Sequence, residues 1–350
     1  MAPIWNDPIS GGNSVMAPKV EIYRDWDSIV DAFGPELSRE ARSCLFDRLD
    51  WFRLVAFHSP PAGELLALKA GDGDAATWLF LSVDGGCARA FANWYSLRFS
   101  AIGGTEATLT LLAQELRDVH PHIDRVELYP LRQDDLLPAA FTKAGWLTRT
   151  RPASTRWLID TKDINFDGYW ATRGSQLRNT ARRKTKAAGL DIRIHCSFDP
   201  DAWRGYEHVY QNSWKPAEGS PAFLRALAEQ EGAAGTLRLG LAFKDGEAIA
   251  AQLWLVENGT ATIHKLAYTQ EARNLSPGTI LSVEMFRHVL DIDKVELIDF
   301  GTGDEGYKAD WMERSEPLNR MLAFNPRTLK GLTGAARVWA SDLVHRVASH

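Results

Sequence analysis

The pattern of apolar and polar positions divides the chain into two similar runs of elements. In the first, β-forming stretches predict strands at 51–58, 77–83, 87–96, 125–129 and 155–159, with helices at 26–49, 106–119 and 134–144. In the second, a helix over 169–188 ends at Gly189, and a strand over 190–195 precedes helices at 201–214 and 221–231. Strands at 237–243 and 247–256 then flank Asp245-Gly246, and Asn258-Gly259 leads into a strand over 262–268; both dipeptides are strong hairpin signals. Strands at 294–300 and 318–324 complete the run, and a helix is expected at 329–347. Residues 1–18 mix Pro, Gly, Asn and Ser without periodicity and predict a mobile tail.

The most informative stretch is 262–311. Ile280, Val283, Met285, Phe286, Val289 and Leu290 broadly follow a helical repeat, so a helix is expected to start at Ser276 or Pro277. A Ser cap followed by Pro suits a helix start, because the hydroxyl accepts an orphan N–H and Pro has none to leave unpaired. With Arg273 just upstream, the free N–H groups there suit an anion such as a pyrophosphate. The next strand must run parallel to the first because a helix joins them. Gly301 and Gly303 then allow a sharp turn that leaves Asp299 at a strand end with Tyr307, Lys308 and Trp311 just beyond.

Arg273, Ser276 and Gly278 spell R-x-x-S-x-G, residues 275–278 read LSPG, and 299–311 read DFGxGxxxYKxxW. In this order the motifs resemble the acyl-CoA-binding core of the GNAT N-acyltransferase superfamily. Within it they are similar to the CelD/BcsL-like branch, which is related to FemAB peptidoglycan transferases and bacterial ceramide synthases. The likeness runs from about 166 to 324 and departs from the usual turn in having Ser276 where the family has Gly. It implies an α/β (α+β) fold of tandem GNAT-like lobes, each a mixed twisted sheet flanked by helices. The expected division is a tail (1–18), a degenerate lobe (19–160), a donor-binding lobe (161–326) and an amphipathic helix (327–350). In the first lobe the equivalent turn, 99–104, has Gly103 and Gly104 but only Arg98 as a nearby cation, so that lobe is expected to help form the acceptor groove.

The activity this resemblance implies is transfer of an acyl group from acyl-CoA, or an acyl carrier protein, to an amine of a lipid or sugar, including a sphingoid base. Two alternatives stay open: FemAB-like transfer from an aminoacyl-tRNA, and a non-catalytic role in polysaccharide assembly. Arg273, Ser276, Gly278 and Thr279 are the candidate donor-binding residues. N-acyl transfer also needs a base, an orienting group and support for the developing oxyanion. His264 is the candidate base or a satisfied strand residue. Asp299 either orients it, binds the acceptor ammonium or holds loop N–H groups. Lys308 is the electrostatic candidate, since in FemAB-like relatives a late-loop Lys supports the transferring group. Tyr307 is either the acid for the leaving thiolate or packing.

Residues 173–189 carry six cations and no acid, and Arg178, Arg182 and Lys186 fall on one line at i, i+4, i+8. Such like-charge neighbours weaken a helix by a few tenths of a kcal/mol each. Something negative offsets this: a CoA phosphate, a carrier protein, tRNA or anionic lipid, or simply acids on neighbouring elements.

Composition narrows the classes. The 350 residues are 45% hydrophobic and 24% charged with a net charge of −5, values of an ordinary globular protein that does not coat DNA. Cys44, Cys87 and Cys196 are too scattered for a disulfide framework or a C-x-x-C metal site, and no metal is expected. No apolar run approaches the ~20 residues of a membrane span, so a cytoplasmic protein is expected. The terminal helix, with Leu332, Ala336, Trp339, Leu343 and Val347 on one stripe and Lys330, Arg337 and Arg346 nearby, suggests either peripheral contact with the inner membrane or docking on protein. No G-x-S-x-G, Walker A or H-E-x-x-H occurs.

Overall fold

A computed structural model describes residues 19–348, with side chains to 341; the expected tail over 1–18 lies outside the described residues. In the first half the order is β1 (Val20–Tyr23), α1 (Trp26–Phe33), α2 (Leu49–His58), β2 (Glu64–Ala70), β3 (Thr77–Asp84) and β4 (Cys87–Ala90). Then come α3 (Glu106–Val119), β5 (Arg125–Leu131), α4 (Leu137–Lys143) and β6 (Leu147–Asp160). The second half has α5 (Phe166–Thr172), α6 (Ser175–Ala188), β7 (Asp191–His195), α7 (Pro200–Gln211), α8 (Pro221–Ala233), β8 (Leu237–Lys244) and β9 (Glu247–Glu257). It ends with β10 (Thr260–Tyr268), α9 (Pro277–Asp291), β11 (Leu297–Thr302), β12 (Arg314–Phe324) and α10 (Leu329–Ala348). The α/β expectation holds: helices flank one mixed sheet of twelve strands.

Across that sheet the order is β1-β2-β3-β4-β5-β12-β6-β11-β10-β9-β8-β7. Adding six to each strand number reverses the order onto itself, so the halves are related by a topological pseudo-twofold. The last strand of each half crosses over: β6 pairs with β11, and β12 pairs with β5. The crossed strands β6 and β12 pair antiparallel along their length at the centre, tying the halves together. Among the described residues only β4–β5 and β10–β11 are parallel, each over three residue pairs. Beyond Thr262 and Asp299, β10 and β11 no longer pair with each other, though β10 stays paired with β9, and an opening lies between them.

The hairpin signals fold as expected. Asp245-Gly246 and Asn258-Gly259 all take positive φ, which a two-residue turn of the primed type requires. One apolar cluster lies between the halves, with Trp51 of α2 meeting Phe223 of α8 edge-on at 5.4 Å. Two further clusters underlie α3 and α4, and α5, α6 and α9.

Several expected elements differ. The strand expected at 51–58 is the helix α2; its aromatic and branched residues suggested a strand, but Leu49, Phe52 and Val55 are buried at helical spacing. The helix expected at 26–49 stops at Phe33, where Gly34-Pro35 breaks it. That at 169–188 divides at Arg173, whose backbone is extended. Strands β1 and β2 were not expected, and β4 ends at Ala90 instead of reaching 96. Helix α10 docks through Gly331 and Ala335, and a Cβ on Gly334 would come within 2.9 Å of the Phe324 ring. The face carrying Leu332 and Trp339 therefore points to solvent; Leu343, Arg346 and Val347 lie beyond the described side chains.

Candidate active site

The turn before α9 is a five-residue 3-10 helix, Glu271–Leu275, followed by Ser276 in the left-handed conformation (φ 56°, ψ 47°). That conformation explains a glycine preference at this position, since a side chain there costs about 1–2 kcal/mol. The expected Ser276 cap is not made: its side chain bonds no N–H of the first turn. Pro277 has no N–H, and helix geometry gives Gly278 and Thr279 no acceptor within the helix. Gly278 sits against Tyr268, whose Cδ1 would be 3.2 Å from an added Cβ. Arg273 is exposed and makes no side-chain hydrogen bond or ion pair among the described residues.

Helix α6 lies beside this turn. Lys184 donates its ammonium to the Asn274 carbonyl, fixing the register between them. Arg178, Arg182, Arg183 and Lys186 are exposed, and none forms an ion pair among the described residues. Neighbouring acids therefore do not neutralise the basic face. Arg173 differs: it is buried, paired with Glu313, and donates to the Trp311 carbonyl at 3.1 Å. It is a structural clamp between α5 and the loop before β12.

At the opening between β10 and β11 lies a cavity of about 270 Å³ lined by His264, Lys265, Lys215, Glu305, Tyr307 and Lys308, with Trp94 and Tyr95 contributed by the first half. Lys308 is 4% exposed; its ammonium donates to the Thr302 carbonyl at 2.6 Å and pairs with Glu305 at 2.9 Å. Burial, then Glu305, push the Tyr307 phenol up to about 12, so it is protonated at neutral pH.

His264 is 8% exposed with both ring nitrogens unpartnered. Burial first, and then Lys265, push its pKa down to about 3, while the Tyr95 backbone pulls the other way. It is therefore neutral at working pH and far weaker as a base than an ordinary histidine. Asp299 does not orient it. The Asp299 carboxylate is held by Arg156 through Nε and Nη2, both at 2.7 Å, and accepts from the Gly301 N–H at 2.9 Å.

Sequence reasoning did not single out Lys215, Lys265 or Glu218. Lys265 pairs with Glu218 at 3.2 Å and sits 4.7 Å above the Tyr95 ring. Tyr95 in turn donates to Glu218 at 2.6 Å. Lys215, on the loop between α7 and α8, makes no ion pair among the described residues. Burial, then Lys265, lower its pKa to about 8, Lys308 adding to the shift while Glu305 and Glu218 oppose it. A charged residue within the apolar strand TIHKLAY was the one signal available for Lys265; Lys215 and Glu218 lie on a loop no spacing connects to the strand.

Residues 173–309 match the GNAT acetyltransferase domain family, a stretch that holds the turn before α9 and the opening between β10 and β11. The fold is similar over 90% of the chain to the C-terminal domain of a putative lysylphosphatidylglycerol synthetase from Agrobacterium fabrum, with 97% of that chain covered, TM-score 0.58 and 16% identity. It is also similar to L-PGS from Bacillus licheniformis (TM-score 0.54, 12% identity, 84% of this chain and 95% of that one). FemX matches with TM-score 0.54 and 9% identity over 78% of this chain and 94% of its own. At these identities the likeness is one of fold. No curated protein matches the chain in sequence. No helix among the described residues is long and apolar enough to cross a membrane, and no group of His, Cys, Asp or Glu there has the makings of a metal site.

Proposed function

We propose that the chain is an N-acyltransferase in which residues 161–326 bind an acyl-CoA, or acyl carrier protein, and residues 19–160 help to hold an amine acceptor on a lipid or sugar. The observation that carries this reading is the uncapped start of α9 next to unneutralised cations, at the mouth of an opening between parallel strands. In this reading the Gly278 and Thr279 N–H groups and Arg273 hold the donor's phosphates, with Arg178, Arg182 and Lys186 supplying a positive field.

The acyl thioester lies between β10 and β11. Lys215, deprotonated in part near neutral pH, takes a proton from the acceptor ammonium. The amine nitrogen attacks the thioester carbonyl, and the Lys308 ammonium stabilises the negative oxygen that forms. Collapse breaks the C–S bond, Tyr307 protonates the departing thiolate, and the surplus proton on the new amide nitrogen passes back to the Tyr307 phenolate. The neutral His264, with both ring nitrogens free, offers a hydrogen bond to the amine. Asp299 keeps Arg156 and the Gly301 turn in place.

A saturable rise in Tm with long-chain acyl-CoA, abolished by Arg273→Ala, is expected, because a ligand that binds only the native state stabilises it. No rise with acyl-CoA and no binding of an acylated carrier protein would overturn the reading. A second reading, transfer from an aminoacyl-tRNA, is favoured by one observation: the exposed unpaired cations of α6 would suit a phosphate backbone. It predicts tRNA binding that weakens steeply with salt.

A further inference from the structure

A second cavity, about 250 Å³, lies between the halves on the face of the sheet opposite α9. Three arginines line it: Arg98 from the first half's turn, Arg132 just after β5, and Arg156 from β6. Its two lining carboxylates are already engaged. Asp299 is held by Arg156, and Glu257 pairs with Arg48 at 2.7 Å and Arg39 at 3.4 Å. Arg98 spends one nitrogen on Asp47 at 3.1 Å, while its Nε is buried without a partner. Arg132 makes no hydrogen bond or ion pair among the described residues. Thr260 and Thr262 lie on the same wall.

A guanidinium left unpaired beside two others is unfavourable in an empty protein. Burial lowers the Arg132 pKa, and Arg156 and Arg98 lower it further, while Asp299 and Asp134 act the other way. This arrangement makes sense if a negative group completes it. The volume corresponds to about eight waters at ~30 Å³ each, enough for an oxyanion with a few attached atoms, and the arginine lining suits an acid and not an acyl chain. The cavity also abuts the transfer site. Leu97 lines both, and Thr262 and Asp299 line this one while the next residues, Ile263 and Phe300, line the other.

We infer that the cavity between the halves is an oxyanion subsite, in which the Arg132 fork and Arg98 Nε hold a phosphate or carboxylate of the amine acceptor. This rests on the acceptor reading above. It makes the acceptor an amine that carries a compact acidic group, with its nitrogen reaching the β10–β11 opening and its acid anchored behind Leu97. Planar guanidinium forks match such oxyanions in two-point contact.

The test titrates inorganic phosphate and, separately, malonate into the whole protein at constant ionic strength, following Tm and heat of binding. One of the two is expected to raise Tm saturably, and which one does so tells phosphate from carboxylate. Arg132→Gln should weaken that binding at least tenfold, yet start from a higher Tm in the absence of the anion because the repulsion is relieved. Arg132→Lys, keeping charge without the fork, should bind more weakly than wild type. Arg273→Ala should respond as wild type, which separates this site from the donor turn. No response to either anion, or an equal response in Arg132→Gln, overturns the inference. Acyl-CoA stabilisation through Arg273 would survive that failure, so the two readings fall separately.

Discussion

Replacing Asp299 by Asn removes one charge from a pair whose side chains are each 11% exposed, and leaves the Arg156 guanidinium opposite a neutral amide, with the more exposed Glu316 at 3.6 Å as its remaining carboxylate. Breaking such a pair from one side costs about 3–5 kcal/mol, most of it the penalty of the stranded charge. Unfolding entropy of ~2.1 cal/mol/K per residue over 350 residues is about 0.7 kcal/mol/K, so one cooperative transition should fall by about 4–7 °C. Asn retains an oxygen for the Gly301 N–H, so the loss reports the ion pair and not the turn. Adding Arg156→Gln should restore most of the stability, because neither charge is then left uncompensated. Calorimetry of the four proteins of this cycle gives the stability terms, and acyl-transfer rates on the same samples give the role. If the carboxylate serves only to hold Arg156, the stable double variant keeps its turnover. A Tm for Asp299→Asn within about 1 °C of wild type, or a double variant no better than the single one, would refute the reasoning.

The other predictions concern the transfer site, the start of α9 and the basic face of α6. The transfer rate should rise with pH through about 8 as Lys215 loses its proton, and Lys215→Met should remove that limb and lower kcat about 10²–10⁴-fold. Since the folded pKa of Lys215 lies below the ordinary lysine value, the unfolded chain binds more protons between about 8 and 10.5. Stability should therefore rise with pH across that window, and Lys215→Met should raise Tm at pH 7 but not at pH 11, as thermal scans will show. Ser276→Gly should gain up to about 1 kcal/mol, the left-handed strain relieved being partly offset by a freer unfolded chain. Charge reversal at Arg178 and Arg182 should leave Tm unchanged or slightly higher, since neither is paired, while raising the apparent Kd for acyl-CoA in a salt-dependent way.

What the sequence made legible follows from how local each signal is. The two primed hairpins, α3 and the start of α9 are set by residues within a turn or two of each other, and all appear where the pattern placed them. Helix α2 was misread because its buried residues are aromatic and branched, a composition that suits a strand; only the spacing of burial, which the fold supplies, distinguishes the two. Within the candidate site, Tyr307 and Lys308 share one cavity with His264, as their places at adjacent strand ends suggest. The pairing of Asp299 with Arg156 was not legible, because Arg156 lies 143 positions away on a strand exchanged from the other half. The same exchange brings Trp94 and Tyr95 to the opening, and no motif spacing records it.

The pseudo-twofold makes the difference between the halves informative. Both have a short parallel pair, β4–β5 and β10–β11, and in both a helix follows the first strand of the pair. In the first half that helix, α3, is closed: the Thr105 hydroxyl accepts from the Thr108 N–H, and the Thr108 hydroxyl accepts from the Thr105 N–H. A Cβ on the adjacent Gly104 would lie 2.1 Å from the Thr77 hydroxyl, so side chains fill the approach. The matching helix α9 has no such cap, starts from a left-handed residue, and faces an exposed arginine and a basic neighbour. An uncapped start loses about 1 kcal/mol relative to a capped one. One fold thus carries one satisfied and one unsatisfied copy of the same element. The unsatisfied copy is the one beside the lysine-lined cavity, as expected if an anionic donor supplies there what Thr105 supplies in the other half.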